Sequence, residues 1–192
     1  MAKTRLLVVG AGGHGQSVAE AAELSGEFRV VGFLDDSLPP DQKVLGHSVL
    51  GSVASMVNHR SACDSAIVAI GKNDLRQRLM QQLIDEDFVL ATVIHPRAFV
   101  SPSARIGKGS AIMAGGLVGT QARLGVGVIV NCGAVVDHHA CVEDFGHLGV
   151  NACMAGGSSL GKGSWMQAGA SLGYGVVVPP YTVLRPGQAL PR

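Results

Sequence analysis

Every sixth residue from Ile94 to Leu190 is aliphatic or methionine, beginning Ile94, Val100, Ile106 and Ile112 and running through seventeen positions without an exception. Four places after most of them stands a small residue, as at Ala98, Ala104, Ser110 and Gly116. Neither the 3.6-residue period of a helix nor the 2-residue period of a strand produces a strict six, whereas short flat strands joined by tight turns do. Three hexads close a coil of 18 residues, so residues 94–192 are expected to form a left-handed parallel β-helix, with the aliphatic column inside a narrow triangular prism. Each buried side chain of this kind contributes about 1.5–3 kcal/mol, and a charge at any of the seventeen should be poorly tolerated. Composition agrees: glycine numbers 27 in 192 residues and aromatics are only 4%, because so narrow a prism has no room for rings. Phe145, Trp165 and Tyr174 fall at other hexad positions and are expected to face outward or to lie between subunits. Flat outer faces bury little alone and prisms of this kind commonly associate as trimers, so by analogy of fold a homotrimer is expected.

Residues 1–93 show no such period and read as a separate α/β domain. Thr4 to Val9 predicts a strand, Gln16 to Ser25 a helix and Phe28 to Leu34 a second strand; Ala66 to Ile70 is a third, followed by a helix for which Asn73 or Asp74 could serve as cap. "VLATVIHP" reads as the last strand. The pattern is that of a parallel sheet with helices against it, half of a Rossmann-like fold. Between the first strand and helix lies Gly10-x-Gly12-x-x-Gly15, with Asp35 and Asp36 about 20 residues beyond. Four strands are too few for the two halves a dinucleotide needs, so a single nucleotide-sized ligand is expected, its phosphate at the helix N-terminus and His14 pointing at it.

Net charge is +1, charged residues make up 15%, and no Lys/Arg run exceeds two, which leaves no basic face for nucleic acid. Apolar runs are too short to span a bilayer and "MAKTRLLVVGAGG" is not a signal peptide, so a soluble cytoplasmic protein is expected. Cys63, Cys132, Cys141 and Cys153 have no C-x-x-C spacing and read as free thiols.

Three of seven histidines fall in "VVDHHACVEDFGH", His138, His139 and His147, a density that fits either a metal site or an acid–base site. The period separates them. Val136 and Val142 are interior, and His138 and His147 are nine residues apart, half a coil, so one chain places them on different sides of the triangle, where they cannot share a metal. Alternation along a strand would also set Asp137 opposite His138.

"GAGGHG", "FLDD", "AIGKNDLR", "VIHPRAFVSPSARIG", "VNCGAVVDHHACVEDFGH" and the hexapeptide register together make the whole chain resemble bacterial sugar acyltransferases. These comprise the sialic acid O-acetyltransferases and the acetyl-CoA-dependent N-acetyltransferases of UDP-, GDP- or dTDP-linked 4-amino-4,6-dideoxy sugars. The resemblance implies acetyl transfer from acetyl-CoA to a sugar amine, or alternatively to a sugar hydroxyl, without a metal; a binding-only scaffold is the remaining reading. By motif match, Gly12, Gly13, His14, Asp35, Asp36 and Gly71 would contact the nucleotide-sugar. His138 would be the general base, and His147, Ala168, Pro186 and Gly187 would line the path of acetyl-CoA between subunits. Two positions depart from the pattern. His139 stands where several relatives carry a glutamate that raises the basicity of the histidine, which makes it a candidate modulator, and the tail "LRPGQALPR" lacks a Gly-x-Pro-Ala-type ending. Carbonic anhydrases built on the same prism bind zinc through two histidines five apart, a spacing that residues 94–192 do not contain.

Overall fold

The structure, a computed structural model, describes residues 2–191. The outer bounds of the two expected domains, residues 1 and 192, lie outside that range. Contacts divide the chain between Val93 and Ile94 into two compact units.

The first unit is a five-stranded sheet of β1 (Thr4–Val9), β2 (Phe28–Leu34), β3 (Lys43–Val44), β4 (His47–Gly51) and β5 (Ser65–Val68), in the order β3-β4-β2-β1-β5. Strand β1 (Thr4–Val9) runs through its centre with its last four residues buried. It pairs in parallel with β2 (Phe28–Leu34) on one side and β5 (Ser65–Val68) on the other. Such a strand, covered on both faces, needs continuous apolar residues, which "LLVV" at Leu6 to Val9 supplies. Helix α1 (Gly13–Leu24) turns Gly15, Val18, Ala19, Ala21 and Ala22 inward, a stripe small enough to lie close to the sheet. Helix α2 (Asn73–Asp85) buries Arg76, Leu79, Met80 and Leu83, the i, i+3, i+4, i+7 spacing of one helix face.

The first unit departs from the sequence expectations at several places. Helix α1 begins at Gly13, within the glycine motif, and not at Gln16. Neither Asn73 nor Asp74 is the cap: Lys72 occupies that position without a side-chain bond, and Asn73 Oδ1 instead accepts Arg76 Nη2 at 2.9 Å. Two strands escape the sequence reading, β3 (Lys43–Val44) and β4 (His47–Gly51), an antiparallel hairpin at the sheet edge followed by a 3-10 helix, Val53–Ala62. Its turn runs through Leu45 and Gly46 at φ 50° and 82°. Leucine gives no turn signal at a left-handed position where Asn or Asp would, so the hairpin is silent in the sequence. "VLATVIHP" is not one strand either. Leu90 makes a single bridge to Ala66, and Val93–Ile94 pairs within the second unit.

The second unit is a left-handed parallel β-helix of two-residue rungs in three sheets of six, six and five strands. Its first face carries the rungs Ile129–Val130, His147–Leu148 and Trp165–Met166; the second carries Val135–Val136, Cys153–Met154 and Ser171–Leu172; the third carries Cys141–Val142 and Ser159–Leu160. Partners stack one coil apart, Ile129 on His147 and His147 on Trp165. Within the aliphatic column every residue from Ile112 to Leu184 is at most 4% exposed. The column is not buried throughout, however. Ile94 is 37% exposed, and Val100, Ile106 and Leu190 are half-buried, because the end coils are covered from one side only.

Small residues fill the corners as the period requires. Where one is polar its hydroxyl is bonded: Ser164 Oγ donates to the Pro179 carbonyl at 2.8 Å and accepts the Thr182 amide at 2.9 Å. The corners turn through left-handed residues, mostly glycine, although His139, Phe145 and Tyr181 also adopt positive φ. Trp165 and Tyr174 are exposed as expected, but Phe145 is buried at 9% exposure. Among the described residues no helix is long and apolar enough to cross a membrane.

Candidate functional site

In the first unit the glycine motif lies between β1 and α1, and its glycines differ in role. Gly10, at φ +103°, packs against Ile70 and Ala69, and a Cβ on Gly15 would fall on the Gly10 carbonyl, so these two close the helix onto the strand. Beside Gly12 and Gly13 there is open space. They form the N-terminal end of α1, whose first amides have no intrahelical acceptor and attract an anion.

Asp35 braces the motif: its Oδ2 accepts the Ala11 amide at 2.7 Å, and its Oδ1 accepts the Ser37 amide at 2.8 Å and hydroxyl at 2.5 Å. Burial opposes ionisation of Asp35, but the Ser37 hydroxyl and the amides of Ala11, Ser37 and Leu38 outweigh it and hold the carboxyl below its usual range. Asp36 Oδ1 accepts the Val53 amide at 2.8 Å. Both acids therefore tie loops together as well as facing a cavity. A cavity of about 420 Å³ is lined by Gly10, Asp35, Asp36, Ser37 and Arg78, and another of about 430 Å³ by Gly12, Gln16, Ser37 and Lys43. Gly13, His14 and Gly71 line neither. Arg78 and Lys43, the cations of these cavities, have no motif to mark them, and only the folded helix and hairpin reveal them.

His14 does not simply point outward from its turn. Its Nε2 is enclosed and has no hydrogen-bond partner, and burial, aided by the positive charge of Arg76, lowers its pKa to about 4. Arg76, 1% exposed, donates to the carbonyls of Ile70 at 3.0 Å and Gly71 at 3.3 Å, and burial lowers it to about 10. Gly71 thus contributes its carbonyl to holding this buried cation.

In the second unit His138 and His139 form the two-residue turn between the second and third faces. Being in a turn, they do not alternate as strand residues, and the expected placement of Asp137 opposite His138 is wrong. Asp137 Oδ1 accepts the His138 amide at 2.7 Å and its Oδ2 lies 3.7 Å from His138 Nε2. The two imidazoles meet edge to face at an interplanar angle of 83°, Nδ1 to Nδ1 at 3.1 Å. The His138 side chain is half exposed (51%) and lies against Gly156, one coil on. Tyr174, a further coil on, tilts toward it with centroids 6.5 Å apart.

His147 is elsewhere, on the first face, 7% exposed and stacked on Trp165 with centroids 5.4 Å apart. Ala168, Pro186 and Gly187 are exposed on successive coils at the corner between the first and second faces, where the Gly187 amide donates to the Ala168 carbonyl at 2.9 Å. Within one chain the second face separates that corner from His138.

Residues 5–83 match the family model described as the PglD N-terminal domain. A curated relative, the UDP-N-acetylbacillosamine N-acetyltransferase of Bacillus subtilis (strain 168), is 33% identical over 112 residues, 56% of this chain and 50% of the relative. The match thus spans about half the length of that relative. Among solved structures, perosamine N-acetyltransferase from Caulobacter crescentus in complex with CoA and GDP-perosamine superposes with a TM-score of 0.94 at 35% identity, covering 100% of this chain and 90% of that one. That structure is a variant in which one histidine is replaced by asparagine, and another of the same enzyme carries alanine there. The acetyltransferase domain of PglB from Neisseria gonorrhoeae FA1090 in complex with acetyl coenzyme A gives a TM-score of 0.83 at 32% identity, with 100% of both chains covered.

Proposed function

This chain belongs to the sugar N-acetyltransferase family, and from that premise we propose that it transfers acetyl from acetyl-CoA to the amine of a nucleotide-linked amino-dideoxy sugar. One observation carries the reading: a half-exposed imidazole, His138, seated on glycine and flanked by a carboxylate. A sugar ammonium must lose its proton before its nitrogen can attack a thioester, and imidazole is the side chain suited to accept it near neutral pH. In the proposed reaction His138 takes that proton, and the freed amine nitrogen then adds to the thioester carbonyl. A backbone N–H holds the oxyanion. The C–N bond forms, the C–S bond breaks, and coenzyme A leaves as its thiol, carrying the second proton that the attacking nitrogen gives up, without an acyl-enzyme.

Gly12 and Gly13 would present the end of α1 to the phosphates, with His14, Asp35, Asp36 and Gly71 around them. Acetyl-CoA would lie along His147, Ala168, Pro186 and Gly187. Since a whole face separates this corner from His138 in one chain, the reading needs a homotrimer, in which the cofactor corner of one subunit meets the base of its neighbour.

The test is thiol release from acetyl-CoA with UDP-, GDP- and dTDP-linked 4-amino sugars. Release with one of them, lost in His138→Ala while cofactor binding and assembly persist, is the expected result. Turnover near wild type in His138→Ala would remove the base assignment. Tight nucleotide-sugar binding with no release from any of the three would leave a binding protein.

A further inference from the structure

We infer that His139 is a positioning residue, the acceptor that takes the Nδ1 proton of His138 and thereby reserves Nε2 of His138 for the substrate proton. This rests on the assignment of His138 as base. The geometry is specific: the two Nδ1 atoms are 3.1 Å apart with the rings close to perpendicular. At that distance one nitrogen carries the proton and the other supplies the lone pair.

Which one donates is settled by the reaction. Once His138 has accepted the substrate proton on Nε2, both of its nitrogens carry hydrogen, so its Nδ1–H can only donate and His139 Nδ1 must accept. A neutral His139 is therefore required for the proton-bearing state of His138, whose Nε2–H then faces Asp137 Oδ2 at 3.7 Å. The two groups hold opposite ends of the same ring. A protonated His139 has no lone pair at Nδ1 and would set a second N–H against the first.

His139 sits at φ 60°, a left-handed corner position held by Gln121 at φ 57° one coil back and by Gly157 at φ 68° one coil on, so the backbone there admits either a side chain or glycine.

Two substitutions separate function from folding. His139→Gly removes the acceptor but relaxes the backbone; His139→Asn keeps an acceptor oxygen, suits positive φ and does not titrate. We expect His139→Gly to melt no lower than wild type yet to lose about tenfold in kcat with KM unchanged, and His139→Asn to recover most of the loss. Unchanged kcat in His139→Gly, or no recovery in His139→Asn, would overturn the inference while leaving His138 as base. Undiminished turnover in His138→Ala would overturn the assignment on which it rests.

Discussion

A Cβ placed on Gly156 would run into Cε1 and Nε2 of the His138 imidazole one coil below, so the ring has its position because residue 156 is glycine. Gly156 is not at positive φ, and alanine fits its backbone. Gly156→Ala should therefore leave the prism folded, with a melting temperature within a few degrees of wild type. The displaced ring should cost about 10- to 100-fold in kcat, since an error near 1 Å at a reacting group has effects of that size. A melting curve and steady-state kinetics on the same sample check both halves.

The column of hexad residues is expected to be graded from its middle to its ends. Leu160 is fully buried, and Leu160→Ala should cost about 2–5 kcal/mol, the lost transfer energy plus the cavity left behind. Ile94 is 37% exposed at the end of the same column, and Ile94→Ala should cost about 1 kcal/mol or less. Denaturant unfolding of the two variants distinguishes this gradient from a uniform column.

That gradient marks the boundary of what the sequence could supply. A period of six names the interior residues, since one side chain of each hexad enters the prism, but it says nothing of which coils are covered on both sides. The rung of His147 was legible for the same reason, and its stack with Trp165 follows from an 18-residue offset. Asp137 was misplaced because alternation holds only within a strand, and the chain leaves the strand at Val136. The enclosure of His14 beside Arg76 is the clearest omission. No motif signals that a guanidinium 62 residues away in sequence, 76 against 14, would charge the surroundings of an enclosed imidazole.

Gly10 and Gly15 carry the closest approach in the first unit. Gly15→Ala puts a methyl group onto the Gly10 carbonyl, and backbone cannot yield as a flexible side chain would. A loss of about 1–3 kcal/mol is expected, together with weakened nucleotide-sugar binding, because α1 must back away from β1. Gly13→Ala is the control: nothing lies within 4 Å of its Cβ, and stability should stay within about 0.5 kcal/mol of wild type. Thermal melts with and without ligand separate the two.

His14 makes the stability of the protein depend on pH in a definite direction. Burial, then the charge of Arg76, lower its folded pKa to about 4 from an ordinary 6.5, so the unfolded chain takes up the proton first as pH falls. The neutral ring's contribution is complete above pH 6.5, declines through the interval from about 6.5 to about 4, and is gone below it. A shift of that size corresponds to at most about 3 kcal/mol at 1.36 kcal/mol per pKa unit. His14→Asn cannot titrate, so the difference in unfolding free energy between wild type and variant should shrink by roughly that amount between pH 7 and pH 4. A difference that stayed constant over the interval would mean that the imidazole accepts a proton as readily folded as unfolded, against its enclosure and the adjacent guanidinium. Chemical denaturation of both proteins at half-unit steps of pH decides it.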